Sequence, residues 1–466
     1  MQLIGRKNEI KELTRLKESK QAEFVALYGR RRVGKTWLVR CFFNDQFTFY
    51  STGIANGNRR EQLTCFYKSV CSYGITNASE PDNWYEAFDL LKEVVKKSRQ
   101  RRKVVFLDEL PWMDTQKSEF KKALDLFWNS WGCMQQNLLL IVCGSAASWM
   151  VNNIIRNKGG LHNRLTCHLH LAPFTLAETK AYLQSQGLRW SNETVAECYM
   201  IMGGIPYYLH LLDRSLSLAQ NVDRLFFAPN ALLKDEFDTL YKSLFKKSED
   251  YVKIITSISK RRSGYTRDEI VQDTGLSNGG GLTRRLDELE QCNFIRRYNT
   301  INGKSIIYQL VDFYSFFYIT FLEGQRHYDR ETWMHLQTSP RHNNWLGLSF
   351  ERLCFAHIYA IQKALGISGV ATRTYPLLTA DAQMDMVIER ADRVTSLCEM
   401  KYTTKPYALT KQEAERLRIR EAEVSDCLPT QKQVLITLIT RDSAKKNEYY
   451  NTLVSNNITL DMLFET

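Results

Sequence analysis

Short apolar runs rich in β-branched and aromatic residues punctuate the first 180 positions: FVALY, FTFYST, VVFLDE, LLLIVCGS and CHLHLAPF. Longer helix-compatible stretches separate them. Strands alternating with helices predict a parallel sheet covered on both faces, an α/β core. From about 175 to 245 the pattern becomes helical, interrupted by GGIPYYL at Gly203 to Leu209, where glycine and proline break the periodicity. Between 250 and 310 come VKIITSIS, then TRDEIVQDTG, opened by Thr266 with Glu269 three residues on as a capping box, then SNGGG and LTRRLDELEQ. The last of these places Leu282, Leu286 and Leu289 on one face and leaves Arg284 and Arg285 mostly outside. A hairpin, FIRRY to KSIIYQL, completes the pattern of a winged helix. In that fold the third helix can enter a major groove while Arg296, Arg297 and Lys304 touch phosphate; a protein-docking or purely structural role fits the same elements. VDFYSFFYITFL reads as a packed helix joining domains, because its apolar content is nearly continuous. Beyond it, the helix around GLSFERLCFAHIYAIQKAL carries Glu351, and two strand-like runs follow, QMDMVIER and RVTSLCEMKYT.

At 466 residues the chain has room for about three domains. The spacing divides it into a core at 1–175, a helical lid at 176–245, a winged helix at 246–310, a helical connector at 311–345 and a carboxy-terminal domain at 346–466. The longest apolar stretch, LLLIVCGSAASWMV, is too short and polar to span a bilayer, and MQLIGRKNEIKEL has no signal-peptide core. The 11 cysteines form no C-x-x-C pair, which fits free thiols in a reducing cytoplasm; no membrane partner is expected. His162, Cys167, His168 and His170 lack paired zinc-ligand spacing, and the alternation in CHLHLA suits a strand. Sixty-three lysines and arginines against 51 acids give a net charge of +12, which favours a polyanionic partner without identifying one. The basic runs Arg99 to Lys103 and Lys260 to Arg262 read as solvated faces.

The chemistry begins directly after FVALY. GRRRVGKT at Gly29 to Thr36 fits G-x4-G-K-[ST], in which backbone N–H groups wrap phosphates before a helix starts. Gly29, Arg32, Val33, Gly34, Lys35, Thr36 and Trp37 form the expected cradle. Lys35 would reach the β- and γ-phosphates of ATP, and Thr36 would offer its hydroxyl to Mg2+. Of Arg30, Arg31 and Arg32, at least two read as a solvated loop rim. VVFLDE places Asp108 at a strand tip as a second magnesium residue and Glu109 as the base that polarises water. Ser145, at the end of LLLIVCGS, could sense the γ-phosphate or steady the water; a turn serine explains it equally. In the carboxy-terminal part, Asp385, Glu399 and Lys401 form a set able to hold divalent metal and activate water against a phosphodiester, with Glu351 as a supporting carboxylate. Cys398 and Met400 are expected to face inward.

With both halves read, the chain resembles prokaryotic ATPases related to the AAA+ and STAND groups, of the archaeal-type ATPase family, followed by a winged helix and a PD-(D/E)xK restriction-endonuclease-like domain. IGRKNEI, the phosphate loop, FLDEL, CGSAAS, GGIPYYL and the D…ExK set carry the resemblance. It implies that Arg6, Glu9, Gly204 and Pro206 frame the adenine. It also implies that Arg164 precedes the last core strand, where it senses nucleotide or pairs with an acid. Asp385 lacks the proline common before it, since Met384 stands there. The function implied is a Mg-dependent ATPase whose nucleotide state controls the winged-helix and nuclease-like domains, acting on DNA and able to form homo-oligomers. The alternative is an ATP-switched binding or STAND-like assembly protein with a protein partner and an inactive nuclease fold.

Overall fold

In the computed structural model, residues 3–156, 163–299, 306–324, 332–378, 383–427 and 433–465 are described. His162 and Lys304 lie outside them. The backbone separates into two units, 1–172 and 173–466.

The first unit is built on five parallel strands in the order β2-β3-β4-β1-β5: β1 (Glu23–Tyr28), β2 (Phe49–Thr52), β3 (Lys103–Asp108), β4 (Leu138–Gly144) and β5 (Cys167–His170). Because β1, β3 and β4 are apolar at nearly every position, they are buried on both faces, as a parallel sheet requires. One face packs on helices Arg59–Ser72, Trp84–Lys97 and Phe120–Ser130. In Trp84–Lys97 the residues Trp84, Ala87, Phe88, Leu91, Val94 and Val95 recur at helical spacing and are all buried. Phe88 stacks on Phe127 at 5.2 Å, and Trp84 meets Phe120 edge-on at 4.8 Å. Arg102 is not part of a solvated face: its guanidinium donates to the carbonyl oxygens of Leu16, Gln21 and Gln136 at 2.9, 2.8 and 3.2 Å. It thereby ties the end of the first helix to the approaches of β1 and β4.

The second unit opens with helices Leu176–Ser185, Asn192–Met202 and Pro206–His210. Thr175 and Glu178 form a capping box on the first of them. Helices Ser248–Ser259, Arg267–Thr274 and Gly280–Gln291 follow, with a three-stranded antiparallel sheet of β6 (Tyr265–Thr266), β7 (Ile295–Asn299) and β8 (Ile306–Leu310). The capping box of Thr266 and Glu269 forms, and Leu282, Leu286 and Leu289 are buried together on one face. The arginines of this module are engaged inside the chain. Arg285 pairs with Asp250 at 2.5 Å, Arg297 pairs with Asp287 at 2.7 Å and with Glu290, and Arg296 donates to the Phe355 carbonyl at 3.2 Å. Arg284 and Arg297 keep side-chain exposures of 70 and 38%, whereas that of Arg285 falls to 17%.

Helix Phe313–Phe321 buries Phe313, Tyr314, Phe316, Phe317 and Phe321, and Phe317 and Phe321 meet Trp333 and Trp345 within 5.6 Å. Helices Pro340–Ala356 and Ile358–Ala364 lead into a five-stranded mixed sheet in the order β13-β12-β11-β10-β9. Its strands are β9 (Thr372–Leu378), β10 (Gln383–Arg390), β11 (Val394–Lys401), β12 (Gln433–Thr440) and β13 (Val454–Thr459). The first three are antiparallel neighbours. Helix Lys411–Cys427 then provides the crossover that lets β12 run parallel to β11.

Candidate functional site

The first site grows from strand tips and one loop. β1 ends at Tyr28, and Gly29 follows with φ 152° and no room for a side chain, since a Cβ there would lie 2.3 Å from the Leu171 carbonyl oxygen. The loop closes into helix Lys35–Phe42, whose first N–H groups point back along the loop. Lys35 is buried, and its Nζ donates to the carbonyls of Gly29 and Arg30 at 3.0 and 2.9 Å, which holds the ammonium over the loop. Thr36 Oγ1 donates to Asp108 Oδ2 at 2.7 Å, joining the loop to the tip of β3. Of the three loop arginines, Arg31 is exposed and Arg32 half-buried, whereas Arg30 is 1% exposed and so does not belong to the rim. Trp37 stands 52% exposed in the first helical turn.

Glu109 adopts a left-handed conformation (φ 47°, ψ 46°), and its N–H donates to Asp108 Oδ1 at 2.9 Å. This kink at the end of β3 turns the two successive carboxylates apart. Ser145, just past the end of β4, donates its hydroxyl to Glu109 Oε2 at 2.8 Å and its N–H to the same oxygen at 3.3 Å. Ser145 therefore meets the carboxylate rather than standing alone as a turn residue. A neighbour missing from the sequence reading, Cys143 on β4, is fully buried, and burial together with the Asp108 carboxylate pushes its thiol well above the usual range. An oxygen set of buried carboxylate and threonine hydroxyl suits a hard cation such as Mg2+.

Arg6 is 5% exposed, and its guanidinium donates to the Ala172 carbonyl at 2.7 Å and to the Val33 carbonyl at 3.1 Å, with Glu9 3.8 Å away. It is thus bound directly to the phosphate loop. Gly204 and Pro206 lie in the second unit. There Gly204 packs against Phe174, whose N–H it accepts at 2.6 Å, and Pro206 occupies the first turn of its helix. Arg164 is exposed ahead of β5. His170, at the end of β5, lies against the Tyr28 ring at 5.0 Å.

The second site lies on β10 and β11. Their register sets Met386 opposite Cys398, which carries Asp385 alongside Glu399, and a bulge against β9 between Met384 and Val387 re-aims this stretch. Asp385, Glu399 and Lys401 line one polar pocket of about 140 Å³ with Arg262, Glu413 and Arg420. Cys398 and Met400 are buried, and so are Asp385 and Glu399 at 7 and 8% exposure. Each carboxylate has defined partners. Asp385 accepts from the Met400 N–H at 2.7 Å and from Arg262; Glu399 pairs with Lys401 at 2.8 Å and Arg420 at 3.0 Å. Glu351, from helix Pro340–Ala356, pairs with Arg262 at 2.6 Å, while burial holds its carboxyl above the usual range against the pull of that guanidinium. Of the basic run 260–262, Lys260 and Arg261 are exposed, as expected from the sequence, and pair with Asp273 and Glu269, whereas Arg262 turns inward to Glu351 and Asp385.

Among the described residues no helix is long and apolar enough to cross a membrane. Over 369 residues the chain is 24% identical to uncharacterized protein MJECL04 of Methanocaldococcus jannaschii, an alignment covering 77% of this chain and 78% of that one. The Walker-type ATPase paby2304 of Pyrococcus abyssi superposes with a TM-score of 0.49 at 18% identity, covering 68% of this chain and 96% of that one. The Aeropyrum pernix ORC2 protein, in ADPNP-ADP complexes, gives 0.43 at 13% identity, covering 77% and 96%. Residues 3–212 match the family of ATPase domains predominantly from Archaea, so this amino-terminal segment is similar to the ATPase domains of that family.

Proposed function

We propose that the chain is a Mg-dependent ATPase whose nucleotide state sets the arrangement of a DNA-binding winged helix, at 246–310, and a metal-dependent nuclease-like domain, at 346–466. The convergence of Thr36, Asp108, Glu109 and Ser145 beside the Gly29–Thr36 loop carries the reading. Lys35 and the loop N–H groups, from Arg32 to Trp37, bind the phosphates of ATP. Thr36 and Asp108 would hold a magnesium ion, which would supply neutralisation of the phosphate charge. Glu109 takes a proton from water as its oxygen bonds to the γ-phosphorus and the bond to the β-phosphate oxygen breaks, releasing ADP and phosphate. Ser145 fixes the carboxylate that does this. Ser145→Ala is expected to lower kcat about tenfold with KM little changed, the cost of one charge-assisted hydrogen bond. An equal fall in kcat/KM through KM alone would assign Ser145 to binding. Arg6 holds the loop through Val33, with Glu9 supporting it, and Arg164 serves as the nucleotide-sensing arginine.

The family segment 3–212 crosses the boundary at 172/173, so the lid helices share a unit with everything that follows them. In that unit Leu176 N–H donates to His357 Nε2 at 2.9 Å, Arg441 pairs with Glu193 at 2.5 Å, and Asn192 donates to Asp461 at 2.7 Å. These contacts would carry a movement of the lid, framed by Gly204 and Pro206, to the segments that flank the carboxy-terminal sheet. There Asp385 and Glu399 would hold a divalent metal that supplies an activated water, with Lys401 to stabilise the nucleophile and Glu351 to support the set.

Supercoiled plasmid, incubated with magnesium or manganese and with or without ATP, tests the nuclease half. Metal-dependent nicking that vanishes in Lys401→Ala is the expected result. Intact plasmid with either metal, from protein that still hydrolyses ATP, overturns it in favour of a nucleotide-switched binding module. One observation favours that second reading, namely that Asp385 and Glu399 are already paired with cationic side chains.

A further inference from the structure

Arg262 stands in the turn between helix Ser248–Ser259 and β6, outside the sheet whose carboxylates it reaches. The turn is held on two sides. Gln309 Nε2 donates to the Arg262 carbonyl at 2.8 Å, and Gly264, with φ 82°, lies so close to β8 that a Cβ would approach the Tyr308 carbonyl oxygen to 2.4 Å. From this fixed base the guanidinium forks. Its Nε donates to Glu351 on helix Pro340–Ala356 at 2.6 Å, and its NH2 group donates to Asp385 on β10. The side chains of Glu351 and Asp385 are 13 and 4% exposed, so each needs a counter-charge where it stands. A planar fork carrying one positive charge meets that need between two carboxylates on separate elements.

Resting on the reading of Asp385 and Glu399 as metal-binding carboxylates, we propose that Arg262 is a built-in plug. It holds with its guanidinium a position beside Asp385 that a divalent cation requires, and keeps the carboxy-terminal site closed until the three-helix module moves. The plug belongs to the three-helix module, whereas the carboxylates belong to the sheet and its packed helix. Displacing the module from the sheet withdraws Arg262 and opens Asp385, with Glu351 behind it, to a divalent cation. The remaining partners explain why this one residue controls entry: Lys401 and Arg420 engage Glu399, and among the described residues Asp385 keeps the Met400 N–H once Arg262 departs.

The test is Mn2+ binding to the full chain without nucleotide, read from free Mn2+ by electron paramagnetic resonance. The Arg262→Gln/Asp385→Asn double variant serves as the blank. Arg262→Gln is expected to bind at least about tenfold more tightly than the unsubstituted chain, and the double variant should lose the gain. Equal affinity in the unsubstituted chain and Arg262→Gln would overturn the plug while leaving the metal-site reading intact. Absence of Mn2+ binding in both would overturn the plug and that reading together. Should Arg262→Gln fail to fold, Arg262→Lys keeps the charge without the fork. It should then bind Mn2+ more tightly than the unsubstituted chain, and unchanged binding would count against the plug.

Discussion

Glu109→Gln is expected to slow ATP turnover by about 10²- to 10⁴-fold while ATP still binds. The substitution keeps size and hydrogen bonding, so Ser145 retains an acceptor and the left-handed turn at 109 is undisturbed. What disappears is the capacity to take a proton. Lys35, Thr36 and Asp108 are unaltered, so nucleotide affinity should change by less than a factor of a few. Steady-state phosphate release, alongside equilibrium binding of a fluorescent ATP analogue, separates the two effects. Unchanged turnover would remove Glu109 from its role and leave Ser145 without a catalytic partner. The variant would also hold the protein in its ATP-bound form, which makes it the preparation in which to compare plasmid nicking with and without nucleotide.

Acidification is expected to weaken the second unit through one residue. His357 sits at the break between helices Pro340–Ala356 and Ile358–Ala364, 5% exposed, and accepts the Leu176 N–H at Nε2 while Nδ1 lies 2.9 Å from the Leu353 carbonyl. Accepting at Nε2 requires the neutral ring, with the proton on Nδ1 donated to Leu353. Burial lowers its pKa to about 4, against an unfolded value near 6.5. The folded state therefore binds fewer protons than the unfolded chain between those values. The stability that the neutral ring provides is complete above about pH 6.5 and is lost progressively as pH falls towards 4, amounting to about 3 kcal/mol. Urea midpoints from pH 7.5 to 4.5 should fall less steeply in His357→Gln, whose amide can accept from Leu176 and donate to Leu353 without titrating. Identical slopes in the two proteins would sink the assignment. Because Leu176 opens helix Leu176–Ser185, the same protonation should loosen that helix from the carboxy-terminal helices.

The chain's local order was enough to place the phosphate-loop strand, the loop and the helix Lys35–Phe42, because a strand–loop–helix turn is built by neighbours in sequence. The same is true of Asp108 and Glu109 at the end of β3, and of Glu399 and Lys401, whose spacing of two follows directly from the strand period. The apolar runs marked β1, β3 and β4, which are buried along nearly their whole length as parallel strands require, and alternation marked β2 and β5, whose burial varies from one residue to the next. What the linear pattern could not supply was partnership. Arg262 is a basic residue in a basic run until folding brings it to Asp385, 123 residues away. His357 looks like an ordinary histidine within an amphipathic helix until Leu176, 181 residues distant, gives it an N–H to accept. Arg296 and Arg297 read as phosphate contacts, yet the structure commits them to Phe355, Asp287 and Glu290. Charge type and strand period are properties of each short segment, and the sequence alone determined them for this protein. Which opposite charge each arginine meets depends on where chain closure sets distant segments side by side, and that only the tertiary structure decided, because burial leaves a carboxylate no solvent to substitute for its partner.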